Sequence, residues 1–267
     1  MPRLSANLTL MFPELPFLDR LAAAAEQGFR AVEWMFSYEI PAEEIRDRLR
    51  RLELEVVLIN APAGDWEGGE RGLAGLPGRE KEAHESARCA IAYAQTIGCR
   101  RVHVMAGKRD ESVPRNAQLD TMVANVCMAA DIAAPAGVSI MIEPLNRSVD
   151  MPGYLLAGSF EGMEIIERAA RPNVLLQYDV YHMQVTEGDL MRTMKHLLPQ
   201  IGHIQIADNP GRNEPGTGEI NYPNLLAALD SLGYEGWVGC EYRPKDDTVA
   251  GLGWAQPYLG SHRESVS

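Results

Sequence analysis

The sequence has few of the features that mark nucleic-acid-binding, secreted or membrane proteins. Its 267 residues carry 25 Lys and Arg against 37 Asp and Glu, a formal net charge of −12, and no basic stretch is long enough to follow a phosphate backbone. Its four cysteines include no CxxC pair and indicate reduced thiols rather than a disulfide framework. No run approaches the ~20 apolar residues of a membrane span, and polar residues come too early for a signal peptide. We therefore expect a cytoplasmic protein with no nucleic-acid or membrane partner.

Two nucleotide-binding signatures are also missing. The turn after the first apolar run, Met11 to Pro16, contains no GxGxxG, which argues against an open dinucleotide-binding sheet. The segment 60–79 is rich in glycine, but its spacing matches no phosphate-binding loop and it has no GK[ST]. We interpret this segment as a mobile loop over the mouth of a site, with Trp66 and Arg71 as its contacts; an ordinary long surface loop is the alternative.

What the sequence does contain is a regular alternation of strand-like and helix-like segments. Short apolar runs are each followed by a segment with helical periodicity, which is typical of parallel βαβ units. The eight runs lie at 4–10, 31–35, 54–59, 101–105, 138–143, 174–179, 201–207 and 236–241, and the helical segments at 17–27, 42–51, 80–97, 116–134, 159–170, 187–198, 222–232 and 249–258. Because a closed barrel of such units needs roughly 250 residues, we predict an α/β protein with a single (β/α)8 barrel domain over residues 1–267.

Side chains that offer oxygen stand at or near the ends of four consecutive runs. They are Glu143, Asp179, Gln205 and Glu241, on the fifth to the eighth run. Chemistry in such barrels lies where the strands end, and neighbouring strands are about 4.8 Å apart, so these side chains are expected to converge. Three carboxylates at such short distances repel one another unless a cation lies among them. Because all four candidate ligands offer oxygen, the set favours Mg²⁺ or Mn²⁺. Taken singly, each acid could instead be a helix cap or half of an ion pair; together they favour a metal site.

An anionic substrate would need a local cation, because a net charge of −12 repels it. Arg212, in the loop after the seventh run, is our first choice to bind a substrate carboxylate, since a guanidinium can make two parallel hydrogen bonds to that group. Arg71, Arg147 and Lys108 are the other candidates, and each could equally be a solvated surface charge. The full predicted substrate-binding set is Asn60, Arg71, His103, His182 and Arg212. We interpret His203 as structural.

Several longer motifs carry a family resemblance. They are Ala6-Asn7-Leu8, Pro62-Ala63-Gly64-Asp65-Trp66, Gly69-Glu70-Arg71-Gly72, Glu143-Pro144-Leu145-Asn146, Met151-Pro152-Gly153-Tyr154, Gly202-His203-Ile204-Gln205, Pro210-Gly211-Arg212, Pro215 through Tyr222, and Gly239-Cys240-Glu241-Tyr242. With these motifs the sequence resembles the hydroxypyruvate isomerase family, a branch of the xylose-isomerase-like barrels that also includes ketose 3-epimerases and endonuclease IV. The resemblance runs nearly from end to end.

The resemblance implies a chemistry. In it, Glu143 and Glu241 are both metal ligands and the acid–base pair, and Asp179 and Gln205 complete the coordination. The implied reaction interconverts hydroxypyruvate and tartronate semialdehyde (2-hydroxy-3-oxopropanoate) by proton transfer through an enediol. The substrate would be a small anionic 2-oxo acid. Such barrels are commonly dimers or tetramers, so a homo-oligomer is expected, although no sequence feature indicates its interface.

Four alternatives stay open. The same chemistry could act on a longer 2-oxo acid such as a 2-oxo-tetronate, or a neutral ketose could be epimerised at C3. A metal-dependent phosphodiesterase of the endonuclease IV kind is less compatible with the acidic composition, and a His-rich zinc site is not suggested by six scattered histidines. The ketose 3-epimerases and endonuclease IV also carry His where this chain has Gln205. The last alternative is a barrel that binds a sugar acid without turnover.

Overall fold

The strands of the computed structural model, which describes residues 1–259, form one closed parallel barrel. They are β1 (Arg3–Asn7), β2 (Ala31–Trp34), β3 (Glu55–Asn60), β4 (Arg101–His103), β5 (Ser139–Ile142), β6 (Val174–Asp179), β7 (Ile201–Ile206) and β8 (Trp237–Cys240). Each strand pairs with the next one along the chain, and β8 closes the barrel by pairing with β1. The predicted barrel is confirmed; residues 260–267 of the predicted domain lie outside the described residues.

Helices follow the strands along the chain. They are α1 (Phe17–Glu26), α2 (Ala42–Leu52), α3 (Glu80–Ile97), α4 (Arg115–Ala133), α5 (Ser159–Ala169), α6 (Val180–Thr186), α7 (Leu190–Leu197), α8 (Tyr222–Ser231) and α9 (Gln256–Leu259), with 3₁₀ turns at Ala134–Ala136, Leu198–Gln200 and Ala250–Ala255. Pro16, Pro41 and Pro114 immediately precede α1, α2 and α4. Proline suits this position because the N–H that it lacks has no partner within the helix.

The core lies between the helices and the barrel, and small residues bring the two layers together. On α3 the buried face is mainly alanine, at Ala83, Ala87, Ala90 and Ala94. These positions repeat every three or four residues, so they form one stripe along the helix. Gly98 ends α3 with φ of 80°, a left-handed conformation that glycine adopts without steric cost.

The structure differs from the predicted elements in three places. β1 ends at Asn7 rather than at residue 10, because the backbone turns there and the N–H groups of Leu10 and Met11 both donate to the Asn7 carbonyl oxygen. Helix α6 was not predicted; it begins directly after Asp179, whose side chain caps it. The last predicted helix, 249–258, is mostly a 3₁₀ turn followed by the short α9. Strand ends elsewhere fall within two residues of the predicted ones.

None of the helices within residues 1–259 combines the length and the apolar character that crossing a bilayer requires.

Candidate active site

One cavity opens at the carboxyl ends of the strands, where the predicted site residues lie. Its volume is about 550 Å³, including space that is open to solvent. It is lined by Leu10, Met35, Asn60, Trp66, Met105, Glu143, Leu145, Met151, His182, Arg212, Glu241 and Arg243. Glu143 directly follows β5, and Glu241 directly follows β8. Two carboxylates from non-adjacent strands therefore share one small cavity whose other walls are largely apolar, the usual composition of a small-molecule site.

Three buried side chains lie close enough together to hold a metal ion. Glu143, Asp179 and His182 each offer a ligand atom, and these atoms all lie within 4.8 Å of one another. Glu143 Oε1 and Asp179 Oδ2 are buried without a hydrogen-bond partner in the described part of the chain. A buried carboxylate oxygen is costly unless a cation or another donor satisfies it. The donor chemistry of Glu143 and Asp179 therefore fits a hard divalent cation such as Mg²⁺ or Mn²⁺.

His182 is held as a neutral hydrogen-bond donor. The backbone N–H of Asn146 and its side-chain Nδ2 lie 3.4 and 2.7 Å from His182 Nδ1. Because a backbone N–H can only donate, Nδ1 is the acceptor and the proton of the neutral ring is on Nε2. Burial lowers the pKa of His182 to about 4, which keeps the ring neutral. In this tautomer His182 suits the predicted hydrogen bond to a substrate oxygen better than metal coordination.

Gln205 lies beside Glu241, but its amide oxygen is turned away from that carboxylate. Gln205 Oε1 accepts a hydrogen bond of 2.6 Å from Gln177 Nε2, while Gln205 Nε2 donates to Glu33 at 2.8 Å and to Glu241. Gln205 would offer its oxygen to a cation beside Glu241 only after its amide rotates by about 180°. As the structure stands, Gln205 orients Glu241 through its amide N–H.

Arg212 lines the cavity, and acidic side chains balance its charge there. Arg212 Nη2 lies 2.7 Å from Glu241 Oε1, and Nη1 lies 3.2 Å from Asp150 Oδ1. A third carboxylate, that of Asp179, is 3.9 Å away. The guanidinium carbon also lies 5.4 Å from the ring centre of Tyr181. The guanidinium is therefore held in place by protein groups before any substrate binds.

The loop after β7, which carries Arg212, is held together by the side-chain carboxylate of Asp208. Asp208 accepts hydrogen bonds from the backbone N–H groups of Gly216 and Gly218, at 2.8 and 2.9 Å, and from that of Ile220 at 3.0 Å. Arg212 itself has φ of 52°, a left-handed conformation that is uncommon for a residue with a side chain. The loop is thus closed on Asp208, with the arginine turned into the cavity.

The remaining predicted substrate contacts occupy three different environments. Asn60 lines the cavity. His103 is fully buried beside Glu143, with Nδ1 3.3 Å from Glu143 Oε2, and burial lowers its pKa to about 3. Arg71 stacks on Trp66 at 4.0 Å and donates to the Trp66 and Glu70 carbonyl oxygens. Asn60 therefore borders the cavity, whereas His103 contacts Glu143 and Arg71 contacts the glycine-rich segment.

The glycine-rich segment 60–79 covers one side of the cavity. Trp66 lines the cavity and packs edge-on against Phe36, with ring centres 5.2 Å apart. Gly72 pairs with Ala106 next to β4, and a Cβ at position 72 would lie 2.4 Å from the Met105 carbonyl oxygen. Glycine at this position therefore lets the segment pass directly over the end of β4.

A buried polar cluster beneath the cavity was missed at the level of sequence. Glu33, on β2, is fully buried and accepts four hydrogen bonds: from Ser5 and His203 on one oxygen, at 3.0 and 2.8 Å, and from Asn7 and Gln205 on the other, at 3.1 and 2.8 Å. Burial alone would raise the pKa of Glu33, but the His203 partner and the other hydrogen bonds hold it below its ordinary value. The available signal was a glutamate within the apolar run 31–35.

The two cavity glutamates are in an environment that opposes ionisation. Burial, reinforced by the charges of Glu241 and Asp179, raises the pKa of Glu143 well above its ordinary value. Burial also raises the pKa of Glu241 to about 8, although the Arg212 guanidinium favours the ionised form. Carboxyl groups whose pKa values are raised above the ordinary value suit general acid–base chemistry.

These shifts predict how stability changes with pH. A carboxyl whose pKa is raised on folding contributes stability that is complete below its ordinary value of 4.5 and is lost as the pH rises to about 8. We therefore expect the melting temperature of chelator-treated protein to fall between about pH 5 and pH 9. The stabilisation by added Mg²⁺ or Mn²⁺ should grow over the same range, because a cation favours the ionised carboxyls.

Melting temperatures across that pH range, with and without metal, test this expectation. Glu241→Gln is the matched variant, since it removes one of the two groups, and its metal-free profile should be flatter than that of the wild-type protein. A wild-type profile that is flat or rises above pH 5 would contradict the raised pKa values.

Comparison with known proteins places the chain in a family. Residues 21–258 match the family model described as xylose isomerase-like TIM barrel, and the chain belongs to that family. The chain is 50% identical over 260 residues to a protein of Cupriavidus necator named 2-oxo-tetronate isomerase, covering 97% of this chain and 100% of the relative. It is 44% identical over 258 residues to the hydroxypyruvate isomerase of Escherichia coli, again covering 97% and 100%. The resemblance to hydroxypyruvate isomerases is thereby confirmed, and the names of these homologues confirm the expected isomerase class.

A solved structure supports the same fold at high similarity. The crystal structure of a protein of Brucella melitensis that is named AP endonuclease, family 2, superposes with a TM-score of 0.94 at 45% identity, covering 97% of this chain and 99% of that chain.

Proposed function

We propose that the protein is a metal-dependent isomerase that interconverts hydroxypyruvate and tartronate semialdehyde through an enediol. Homologues named hydroxypyruvate isomerase and 2-oxo-tetronate isomerase support an isomerase of small 2-oxo acids. The observation that carries the reaction itself is the pairing of Glu143 and Glu241 across one small cavity, each with a raised pKa. Two such carboxyls on different sides of a bound substrate can serve as base and acid in turn.

The proton transfers follow from this arrangement. One glutamate takes a proton from C3 of hydroxypyruvate, and the other delivers a proton to C2, while the hydroxyl proton moves from the C3 oxygen to the C2 oxygen. His182 Nε2–H is in position to donate to a substrate oxygen, since its Nδ1 is occupied by Asn146. His103 contacts Glu143 from behind, and Gln205 and Arg212 hold Glu241. Asn60 completes the substrate contacts in the cavity.

A divalent metal belongs to the proposal. Glu143, Asp179 and Glu241 would hold Mg²⁺ or Mn²⁺, with Gln205 joining them if its amide rotates. When bound, the ion would polarise the substrate carbonyl. The support within the structure is the pair of buried carboxylate oxygens, Glu143 Oε1 and Asp179 Oδ2, that lack hydrogen-bond partners in the described residues.

The metal requirement is tested by removal and restoration. We expect protein stripped with a chelator to lose isomerisation of hydroxypyruvate, followed as formation of the semialdehyde, and to regain it on addition of Mg²⁺ or Mn²⁺ but not of Ca²⁺, which prefers more and longer oxygen contacts. Full activity after chelation, with metal absent by elemental analysis, would remove the metal from the proposal.

The second candidate is the same reaction on a longer 2-oxo acid. The relative named 2-oxo-tetronate isomerase favours it at 50% identity. Comparing kcat/KM for hydroxypyruvate, a 2-oxo-tetronate and a neutral ketose under one set of conditions separates the three substrate classes. A nicking assay on abasic DNA addresses the endonuclease activity for which the Brucella protein is named.

Localisation and assembly are part of the same proposal. All four cysteines are free thiols in the structure, which suits the reducing cytoplasm. We keep the expectation of a homo-oligomer without nucleic-acid or membrane partners.

A further inference from the structure

The cavity needs a cation that is not already neutralised if it is to accept an acid. Glu143 and Glu241 line it, and Asp150 and Asp179 lie close behind, in contact with Arg212. A 2-oxo acid brings one further negative charge into this environment. Its carboxylate would be repelled unless a guanidinium or ammonium group is free to receive it.

The arginines that the sequence analysis considered are already engaged. Arg212 lies within hydrogen-bond distance of both Glu241 and Asp150, and only 9% of it is exposed. Arg71 is stacked on Trp66 and bonded to backbone carbonyl oxygens. Arg147 is paired with Glu161 at 3.0 Å. Each of these cations would have to leave a protein partner before it could bind a substrate carboxylate fully.

Arg243 is in a different situation. It is the second arginine that lines the cavity, and it follows Glu241, which also lines the cavity, by two residues. Its backbone N–H donates to the Arg212 carbonyl oxygen at 2.8 Å, which fixes its position beside the loop of Arg212. Within residues 1–259, its guanidinium has no carboxylate or carbonyl partner.

We infer that Arg243 binds the carboxylate of the substrate and thereby makes the cavity selective for 2-oxo acids over neutral ketoses. This inference rests on the proposed function and specifies its substrate class. In this arrangement Arg212 holds Glu241, while Arg243 receives the substrate from the open side of the cavity. A guanidinium suits the task because its two parallel N–H groups match the two carboxylate oxygens.

The experiment uses two substrates that differ only at the relevant group. Hydroxypyruvate carries a carboxylate on C2, and dihydroxyacetone carries a neutral hydroxymethyl group in its place. For Arg243→Gln we expect KM for hydroxypyruvate to rise about 10-fold to 100-fold, the range for loss of a charge-assisted hydrogen bond, with a much smaller change in kcat. KM for dihydroxyacetone should stay within about twofold. Arg243→Lys should recover part of the affinity for the acid.

Lys245→Gln is the matched control. It removes the same charge two residues further along, from an exposed side chain that does not line the cavity. We expect its KM for hydroxypyruvate to remain near the wild-type value, which separates a direct contact from a general effect of net charge.

The outcomes distinguish the two proposals. If the wild-type protein turns over hydroxypyruvate and Arg243→Gln has the same KM, Arg243 is not the carboxylate partner and the proposed function stands. If Arg243→Gln raises KM equally for hydroxypyruvate and dihydroxyacetone, the role of Arg243 is overturned. The same holds if Arg243→Gln and Lys245→Gln raise KM for hydroxypyruvate equally. If the metal-loaded wild-type protein neither turns over hydroxypyruvate nor binds it by calorimetry, the proposed function fails and the inference fails with it.

Discussion

Replacing either cavity glutamate by glutamine is expected to lower kcat by about 10²-fold to 10⁴-fold while the protein stays folded. The size of the loss is that of a positioned acid–base group, and glutamine retains the shape of the side chain but can neither take up nor release the proton. Glu143→Gln and Glu241→Gln should be measured with hydroxypyruvate at saturating concentration, so that kcat is separated from substrate binding.

Stability measurements make this prediction specific. Because burial raises the pKa of both groups, the ionised carboxyl is the costly form in the metal-free protein. A neutral amide at either position should therefore leave the metal-free melting temperature at about pH 8 unchanged or higher. Glu235→Gln, an exposed glutamate just before β8, is the matched control and should retain full activity. Near-normal turnover by either folded cavity variant would remove that glutamate from the mechanism.

Glu33→Gln is expected to reduce the free energy of unfolding by about 3–5 kcal/mol, because it leaves two buried donors without an acceptor and each such loss costs about 1–3 kcal/mol. All four partners of Glu33 donate to it, two to each carboxylate oxygen. A glutamine would place an NH₂ group against two of these donors. His203 would lose the carboxylate that lies 2.8 Å from its Nε2.

Denaturant unfolding of Glu33→Gln and of the control Glu26→Gln measures the effect. Glu26 lies at the exposed end of α1, so its substitution should change the free energy by no more than about 0.5 kcal/mol. A Glu33→Gln variant that unfolds at the wild-type denaturant concentration would show that the buried cluster tolerates rearrangement. Because Gln205 joins Glu33 to Glu241, we also expect the kcat of Glu33→Gln to be lower than that of Glu26→Gln.

Much of the fold could be predicted from local pattern. The eight strands of the closed barrel overlap the eight apolar runs, because each run had to be buried on both faces and each intervening segment had a helical period. Helix α6 escaped prediction because it begins at Val180, directly after Asp179, without a loop to separate it from β6. The Asp179 side chain caps this helix only because β6 ends at Asp179, and the position of that strand end is not a local propensity of the sequence.

The candidate site also has a part that could be predicted from the sequence and a part that could not. That Glu143 and Glu241 would lie at one end of the barrel followed from their positions after two strands, because parallel strands all end on the same side. Their roles stay predictions until the variants are measured. Glu33 was not predicted, because a charged residue inside a strand is informative only once its partners are known, and His203 is 170 residues away in the chain.

The order of apolar and polar residues along the chain was sufficient for the barrel and for the end of it that carries the acids, since both depend on periodicity and chain direction. The same order of residues did not predict which charged groups in the cavity are paired with one another. Arg212 and Arg243 are both arginines in loops near the same site, and only the folded chain brings Asp150, 62 residues from Arg212, against one of them and leaves the other open. Charge balance is set by distances of a few ångströms between residues far apart in sequence, and those distances exist only after folding.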